Sequence, residues 1–224
     1  MGIPLDVDAV VFDCDGLLAD TETCWTRAET AIFAEHGHPF GIEQKRLVIG
    51  RTLAGAAEEM ARYFGAPGRG PVIARRLGEL VAAELAAGAD ALPGAVELVT
   101  AVRRRVPVAV ASNSSRAFVG LVLRSAGLAG LFEHVYSADD VGDPKPAPDL
   151  YLAACAGLGA RPDRCVAFED SATGLASALA AGLYVVGVPS LPGTVLDSHT
   201  TLSALGDASE WAGAVTSASN RLRG

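Results

Sequence analysis

The sequence predicts an α/β protein with a doubly wound parallel sheet and a helical block inserted after the first strand. Three observations support this fold class. A short, fully apolar run stands alone near the N-terminus. Short apolar runs alternate with helical patterns over the second half of the 224-residue chain. The segment 19–93 between these parts shows only helical periodicity.

The first predicted strand is Ala9–Phe12, whose consecutive apolar residues are typical of a strand buried on both faces of a parallel sheet. Helical spacing of apolar residues then begins at Glu22 and continues to about His36. Two more helical stretches follow near Thr52–Phe64 and Val72–Ala87. Because no strand-like run separates these stretches, the block is predicted to be nearly all helix.

Strands and helices alternate from Pro93-Gly94 onward, which implies right-handed βαβ units. The predicted strands are Val106–Ala111, His134–Ser137, Cys165–Phe168 and Tyr184–Val188, and the predicted helices are Ala95–Arg105, Arg116–Ala126, Asp149–Ala156 and Ala172–Ala181. The chain is therefore predicted to comprise an α/β core domain, residues 1–18 and 94–224, and a helical domain, residues 19–93.

Composition and charge exclude several classes of protein. The chain is 50% hydrophobic and 20% charged, which is unlike a disordered segment. A net charge of −8 disfavours nucleic acid and anionic membranes as partners. The uncharged stretch Ser171–Leu196 is long enough to span a bilayer, but its glycines and prolines predict a helix, a strand and a loop. Four cysteines without a CxxC pair, and no signal-peptide pattern, predict a cytoplasmic protein.

Polar residues collect where the predicted strands end. In open parallel sheets, ligands bind at that edge. The clusters are Asp13-Cys14-Asp15-Gly16, Ser112-Asn113-Ser114, the loop Asp143-Pro144-Lys145-Pro146 and Glu169-Asp170-Ser171. Each cluster alone fits a turn, a helix cap or a solvated surface, but four of them at successive strand ends favour a functional site.

The residue types in these clusters suit phosphoryl chemistry. The carboxylates of Asp13, Asp15 and Asp170 would form a site of hard oxygen ligands suited to Mg²⁺. One carboxylate could act as a nucleophile that forms an aspartyl-phosphate, and another could serve as general acid and then base. Ser112 and Asn113 offer hydroxyl and amide groups to phosphoryl oxygens.

Lysine is rare in this sequence, which contains only Lys45 and Lys145 beside sixteen arginines. Lys145 offers positive charge to a phosphoryl group. A lysine between two prolines in an arginine-rich chain suggests a need for a compact ammonium group.

The four clusters resemble, in the same order, the four motifs of the haloacid dehalogenase superfamily. Val10–Glu22 resembles the first motif, Ser112-Asn113-Ser114 the second, Lys145–Asp149 the third and Phe168–Ser171 the fourth. The resemblance covers nearly the whole chain and implies a Rossmann-like core. The helical insertion resembles the cap of the β-phosphoglucomutase-like branch.

The resemblance also implies catalytic roles. Asp13 would be the nucleophile that takes the phosphoryl group. Asp15 would protonate the leaving oxygen and then activate water. Ser112 and Lys145 would hold the transferring phosphoryl group. True dehalogenases lack the second acidic residue of the first motif, so Asp15 favours phosphoryl chemistry.

The implied Mg²⁺ ligands are Asp13, the backbone carbonyl of Asp15 and Asp170, with Glu169 supporting the metal through water. The implied substrate-binding residues are Gly16, Asn113, Arg51 and Glu22. Arg51 matches a position where related caps contact substrate and could bind a second anionic group, although a surface role is equally open. Trp25 faces the cleft or anchors the core of the cap.

We therefore expect a Mg²⁺-dependent phosphatase of a small phosphorylated metabolite, such as a sugar phosphate. Trp25 stands where mutase members carry a histidine, which favours a phosphatase over a β-phosphoglucomutase-type phosphomutase. A non-catalytic binding protein on the same fold is the second alternative, but a binder has no need of both aspartates. We expect no nucleic-acid or membrane partner, and a monomer or weak homodimer.

Overall fold

The computed structural model of the chain describes residues 2–190 and 194–217. Its helices are α1 (Glu22–Glu35), α2 (Ile42–Val48), α3 (Leu53–Tyr63), α4 (Gly70–Ala87), α5 (Ala95–Arg103), α6 (Arg116–Ser125), α7 (Asp149–Gly157), α8 (Ala172–Ala180) and α9 (Ser209–Ala214). Its strands are β1 (Asp6–Val7), β2 (Ala9–Phe12), β3 (Val108–Ala111), β4 (His134–Tyr136), β5 (Cys165–Glu169), β6 (Tyr184–Gly187), β7 (Thr200–Thr201) and β8 (Thr216–Ser217).

Six of these strands form one parallel sheet in the order β4-β3-β2-β5-β6-β7. The chain runs outward from β2 through β3 to β4, and then returns to β5 on the other side of β2. This reversal confirms the predicted doubly wound sheet and puts the switch point, where ligands bind in such folds, at the carboxyl end of β2. Strands β1 and β8 form a separate parallel pair.

The central strand β2 is buried on both faces, as its unbroken apolar sequence predicts. Val10 and Phe12 pack into one hydrophobic cluster, and Ala9 and Val11 pack into a second. This division follows from the alternation of side chains along a strand. Phe12 stacks on Phe168 of β5 with ring centroids 5.2 Å apart. The buried strand thereby fixes the position of the residues that follow Phe12.

Helices α1–α4, called the helical cap below, lie between β2 and α5 in the chain and form a packed unit. Helix α1 buries Ile32 and Phe33, and α4 buries Leu77 and Val81. The two connections to the core run side by side, because Leu92 N–H donates to the Leu18 carbonyl at 3.0 Å. The helical content predicted for this block is confirmed, whereas its boundaries as a domain at 19 and 93 stay a prediction. The predicted core domain also includes residues 1, 191–193 and 218–224, which lie outside the described residues.

Several short elements were not predicted, namely α2, α9, β1, β7 and β8. Helix α2 leaves Ile42 and Leu47 exposed, so its seven residues show no apolar stripe. The three unpredicted strands have two residues each, too short for a periodicity to register. The predicted strand Val106–Ala111 begins only at Val108.

The uncharged stretch contains α8 and β6, as its glycines and prolines predict. Its predicted loop includes residues 191–193, which the structure does not describe. Within the described part of the chain, no helix is both long and apolar enough to cross a membrane.

Candidate active site

One cavity at the carboxyl edge of the sheet receives residues from all four polar clusters. From the core, Asp13, Asp15, Asn113, Ser114, Lys145, Asp170 and Ser171 line it. From the helical cap, Glu22, Trp25, Glu29, Lys45, Val48, Ile49, Gly50, Arg51 and Ala56 line it. Candidate residues more than 100 positions apart in sequence therefore face the same small space.

The centre of the cavity is an ion-paired group of Asp13, Lys145 and Glu169, called the core triad below. Lys145 Nζ lies 2.6 Å from Asp13 Oδ1 and 2.6 Å from Glu169 Oε1. All three residues are buried. Burial raises the pKa of Asp13 to about 7, against the opposing effect of the Lys145 ammonium. Burial would lower the pKa of Lys145, but the two carboxylates hold it above its usual value, so the ammonium stays charged.

Glu169 is held by further hydrogen bonds on both of its carboxylate oxygens. The Tyr151 hydroxyl donates to Oε1 at 2.7 Å. The Asp170 N–H and the Ser171 hydroxyl donate to Oε2 at 3.1 and 3.3 Å. These contacts fix the carboxylate that positions Lys145. Tyr151 was not among the predicted site residues.

The Asp15 carboxylate has different partners from those of Asp13. The Ser112 and Ser114 hydroxyls donate to Asp15 Oδ2 at 3.0 and 2.8 Å. The Ser114 N–H donates in turn to Ser112 Oγ at 3.0 Å. Two hydroxyl donors orient Asp15 at the cavity wall, whereas an ammonium neighbours Asp13. Ser114 adds a second donor to the predicted Ser112, whose role toward a phosphoryl group stays a prediction.

Asn113 connects the core to the helical cap. Its Nδ2 donates to the Gly50 carbonyl at 2.9 Å and to the Lys145 carbonyl at 3.0 Å. Its Oδ1 accepts from the Lys145 N–H at 2.8 Å. The side chain thus fixes the backbone of Lys145 and one loop of the cap together.

A second group of side chains has the oxygen ligands that a divalent cation needs. Asp13, Glu169 and Asp170 each offer a carboxylate oxygen, and these oxygens lie within 4.8 Å of one another. Burial raises the pKa of Asp170 well above its usual value, with the Asp13 charge adding to the effect. Three buried carboxylates beside one ammonium leave negative charge that a hard cation would offset, so these residues fit Mg²⁺. The Asp15 carboxylate is turned toward the serines and lies outside this group.

Gly16 packs against this carboxylate group. Its φ is +78°, and a Cβ at this position would lie 2.5 Å from Asp170 Oδ2. Glycine is therefore required both by the backbone conformation and by the space. Gly16, which the sequence analysis predicted to bind substrate, therefore lies against the Asp170 carboxylate of this group.

The helical cap contributes a second buried ion-paired group, Glu22, Lys45 and Glu29, called the cap triad below. Lys45 Nζ lies 2.5 Å from Glu22 Oε1 and 2.7 Å from Glu29 Oε2. Burial raises the pKa of Glu29 to about 7, partly offset by Lys45. Sequence analysis predicted Glu22 as a substrate contact, but gave no role to Glu29 or Lys45. The available signal was the seven-residue spacing of Glu22 and Glu29, which puts both on one face of α1.

Two other cap residues were predicted with alternatives. Arg51 lines the cavity, but its guanidinium pairs with Glu59 at 3.2 Å, and its Nε donates to the Leu47 carbonyl. For Trp25, both predicted alternatives, facing the cleft and anchoring the core of the cap, stay predictions. Trp25 lines the cavity and also packs edge-on against Phe118 of the core, with ring centroids 6.3 Å apart.

Fold and site together define a class of enzyme: a parallel α/β core with paired carboxylates and a buried lysine at its switch point, beneath a helical cap. The family model described as haloacid dehalogenase-like hydrolase matches residues 7–182, and the chain belongs to this family. Together with the phosphatases among its relatives, this membership makes the chain a phosphoric monoester hydrolase. The match includes every candidate core residue and the whole helical cap.

Curated relatives and solved structures are similar to most of this chain. Protein CbbY of Rhodobacter capsulatus is 37% identical over 200 residues, covering 83% of this chain and 87% of the relative. The fructose-1-phosphate phosphatase YqaB of Escherichia coli is 31% identical over 179 residues, covering 80% of this chain and 95% of the relative. A crystal structure of a CbbY variant from Rhodobacter sphaeroides, in complex with xylulose-(1,5)bisphosphate, has a TM-score of 0.77 at 29% identity. That similarity covers 90% of this chain and 96% of the other.

Proposed function

We propose that the chain is a Mg²⁺-dependent phosphatase that hydrolyses a sugar phosphate or similar metabolite through an aspartyl-phosphate on Asp13. The observation that carries the proposal is the different surroundings of the two aspartates. Asp13 lies 2.6 Å from a permanently charged ammonium, whereas Asp15 is held by two hydroxyl donors. The first arrangement puts a cation beside the carboxylate that would act as nucleophile, and the second holds Asp15 in one orientation, as a proton-transfer group requires.

The first half of the reaction transfers the phosphoryl group to the enzyme. A carboxylate oxygen of Asp13 forms a bond to phosphorus while the bond from phosphorus to the leaving oxygen breaks. Asp15 donates its proton to that oxygen, so the leaving group departs as a neutral alcohol. Lys145 faces the negative charge on the phosphoryl oxygens, and its contacts with Glu169 and with Asn113 hold it in place.

The second half releases the phosphate. Asp15, now a carboxylate, takes a proton from a water molecule. The water oxygen bonds to phosphorus, and the bond from phosphorus to Asp13 breaks. Inorganic phosphate and the starting form of both aspartates result. Ser112 and Ser114 keep Asp15 in the same orientation for both proton transfers.

Mg²⁺ is proposed from the chemistry of the donor set. The three clustered side chains offer only carboxylate oxygens, which are preferred by Mg²⁺ and not by softer metals. Asp13 and Asp170 would hold the ion, and Glu169 would support it. The ion, when bound, supplies positive charge that offsets the buried carboxylates and the phosphoryl oxygens.

The relatives support a phosphorylated sugar as substrate, but the sugars in their descriptions differ in the number of phosphate groups. One relative is described as a fructose-1-phosphate phosphatase, and another is bound to a bisphosphate of xylulose. A sugar monophosphate and a sugar bisphosphate are both consistent with these descriptions. Four buried cysteines without a disulfide support a reducing compartment such as the cytoplasm.

Hydrolysis of p-nitrophenyl phosphate, with and without metal, tests the proposed function. We expect activity that EDTA removes and Mg²⁺ restores. Asp13→Asn should lower kcat by about 10³-fold or more, because an amide is a poor nucleophile. Asp143→Asn is the matched control, since this exposed residue lies near Lys145 in sequence and outside the cavity lining. Retention of more than a tenth of the activity in Asp13→Asn, or full activity after exhaustive chelation, would contradict the proposal.

A further inference from the structure

Both lysines of this chain face the same cavity, from opposite sides. Lys145 of the core triad lies beside the nucleophile, and Lys45 of the cap triad lies on the cap wall. Glu22, Trp25 and Glu29 lie on one face of α1 at spacings of three and seven residues, and all three line the cavity. The leaving group of a substrate bound to Asp13 would therefore meet the cap triad.

We infer that the cap triad is the specificity-determining site for the leaving group, which carries several hydroxyl groups and no second phosphate. This inference rests on the proposed function and narrows its substrate class to polyhydroxylated monophosphates. Its basis is the combination of charge and hydrogen-bonding groups on the cap wall.

The charge of the cap triad disfavours a second phosphate. Two carboxylates and one ammonium give it a formal charge of −1, and protonation of Glu29 would bring it only to zero. In neither state does it offer the net positive charge that a phosphate needs. Arg51 also lines the cavity, and its pair with Glu59 at 3.2 Å offsets part of its charge. Placing another dianion beside these carboxylates would cost free energy through like-charge repulsion.

The hydrogen-bonding capacity of the cap triad suits hydroxyl groups. The Lys45 ammonium has three N–H donors, of which one donates to Glu29 Oε2, while its contact with Glu22 is an ion pair. Each carboxylate oxygen accepts more than one hydrogen bond, so the glutamates can also accept from a ligand. A hydroxyl both donates and accepts, and therefore can use the ammonium and a carboxylate together.

Packing alone does not explain why the three residues of the cap triad are charged. A buried ion pair is on average no more stabilising than apolar residues of the same volume, because both charges lose their hydration. Lys45 and Glu29 are 4% and 2% exposed, so this cost applies to both. Because Lys45 and Glu29 line the cavity, contact with a substrate can explain why they are charged. This explanation would not apply to an ion pair elsewhere in the cap.

Matched substrates that differ only in a second phosphate test the inference. The probes are fructose 1-phosphate with fructose 1,6-bisphosphate, and glucose 1-phosphate with glucose 1,6-bisphosphate. We expect kcat/KM for the preferred monophosphate to exceed that for its bisphosphate by about tenfold or more, which corresponds to about 1.4 kcal/mol. Preference for the bisphosphate, or hydrolysis of p-nitrophenyl phosphate but of none of the four sugars, would overturn the inference and leave the proposed function standing. Absence of p-nitrophenyl phosphate hydrolysis would overturn both.

Variants of the cap triad connect the preference to these residues. Glu29→Gln and Glu22→Gln each remove one negative charge, so each should lower the monophosphate-to-bisphosphate ratio of kcat/KM by about threefold or more. Glu22 is partly exposed, which keeps the test available if the buried Glu29 variant fails to fold. Glu43→Gln on α2 is the control, because this exposed glutamate pairs with Arg46 and lies outside the cavity lining. An unchanged ratio in a folded Glu22→Gln or Glu29→Gln protein would overturn the assignment.

Discussion

The core triad and the cap triad contain the same types of charged side chain, held in two different structural frameworks. In each, one lysine lies between two carboxylates, and each lysine is almost completely buried. In the core, the partners of Lys145 are 132 and 24 residues away in sequence, at the ends of β2 and β5. In the cap, the partners of Lys45 are 23 and 16 residues away, on α1.

The frameworks differ in what holds the carboxylates. Glu169 of the core triad also receives a tyrosine hydroxyl and backbone N–H donors, and its strand is paired on both sides. Glu29 of the cap triad has Lys45 as its ion-pair partner on the neighbouring helix α2. Under the proposed function, the ends of the sheet strands fix the groups that react, while the helical cap carries the groups that select the substrate. A rigid position matters more for the first task than for the second.

Removal of each lysine in turn should separate the two roles most sharply. Lys145→Met should lower kcat for p-nitrophenyl phosphate by roughly 10²-fold or more, because a charge that faces the phosphoryl group is lost. Lys45→Met should act mainly on sugar phosphates, with a fall in kcat/KM of about tenfold. Steady-state kinetics on both substrates measures the difference. Equal losses of kcat for p-nitrophenyl phosphate in the two variants would contradict separate roles for the two lysines.

Both methionine variants leave carboxylates buried without their cation, so each should also be destabilised, by about 3–5 kcal/mol. Urea denaturation of the two variants compares them directly. The kinetic comparison therefore needs a temperature at which both variants are folded, verified by circular dichroism. A loss of kcat that follows the loss of stability in both variants would indicate unfolding rather than separate roles.

Two glycines, one in the core and one in the helical cap, offer a second comparison. Gly16 approaches Asp170, and Gly50 of the cap approaches Ser171, where a Cβ would lie 2.8 Å from Oγ. Both have positive φ, so alanine at either position should cost about 1–3 kcal/mol of stability. Gly16→Ala should also raise the Mg²⁺ concentration needed for half-maximal activity, because its methyl group displaces a carboxylate of the proposed metal site. Gly50→Ala should raise that concentration less, since its clash is with the Ser171 hydroxyl, which is only one of several donors to Glu169.

Gly127→Ala is the control for both glycine variants. This residue has a φ of +70° and no atom within 4 Å of the position of a Cβ. It measures the cost of the backbone conformation alone. Metal titrations that shift equally in Gly16→Ala and in Gly127→Ala would show that strain, and not the contact with Asp170, is responsible.

The core triad could be predicted from the sequence because a buried strand determines where its next residue lies. The apolar run Ala9–Phe12 predicts a buried strand of a parallel sheet, so Asp13 is expected at the carboxyl edge, where the structure places it. The same reasoning places Glu169 after its own buried strand. Tyr151 was missed because α7 is apolar on most sides, so its hydroxyl could not be distinguished from a core aromatic.

The cap triad could not be predicted, because helix α2 gives no periodic signal. Two of its apolar side chains, Ile42 and Leu47, are exposed, so the face that carries Lys45 cannot be read from the spacing. The scarcity of lysine drew attention to Lys145, and the same argument applied to Lys45. What the sequence lacks is the placement of Lys45 of α2 against the two glutamates of α1, which depends on tertiary contacts rather than on either helix alone.

The smallest expected effect is a pH dependence of stability that arises in the cap triad. The pKa of Glu29 is raised from 4.5 to about 7 in the folded chain. Between these values the folded state keeps a proton that the unfolded state has released, so the contribution of Glu29 to stability is lost as pH rises. We expect the free energy of unfolding of the wild type, relative to Glu29→Gln, to fall by on the order of 1–2 kcal/mol between about pH 4.5 and pH 7.

Urea denaturation of both proteins at several pH values measures this difference, and an exposed glutamate on the same helix gives its control. Glu35 pairs with Arg76, whose hydrogen bond holds the pKa of Glu35 below its usual value. For Glu35→Gln the sign is therefore opposite: the wild type gains slightly relative to the variant as pH rises toward 4.5, and the difference is flat between pH 4.5 and pH 7. The contrast has two causes: burial favours the neutral form of Glu29, whereas the hydrogen bond from Arg76 favours the charged form of Glu35. A Glu29→Gln difference that stays constant over this pH range would show that Glu29 is ionised throughout, and the cap triad would then keep its full charge of −1 in the folded protein.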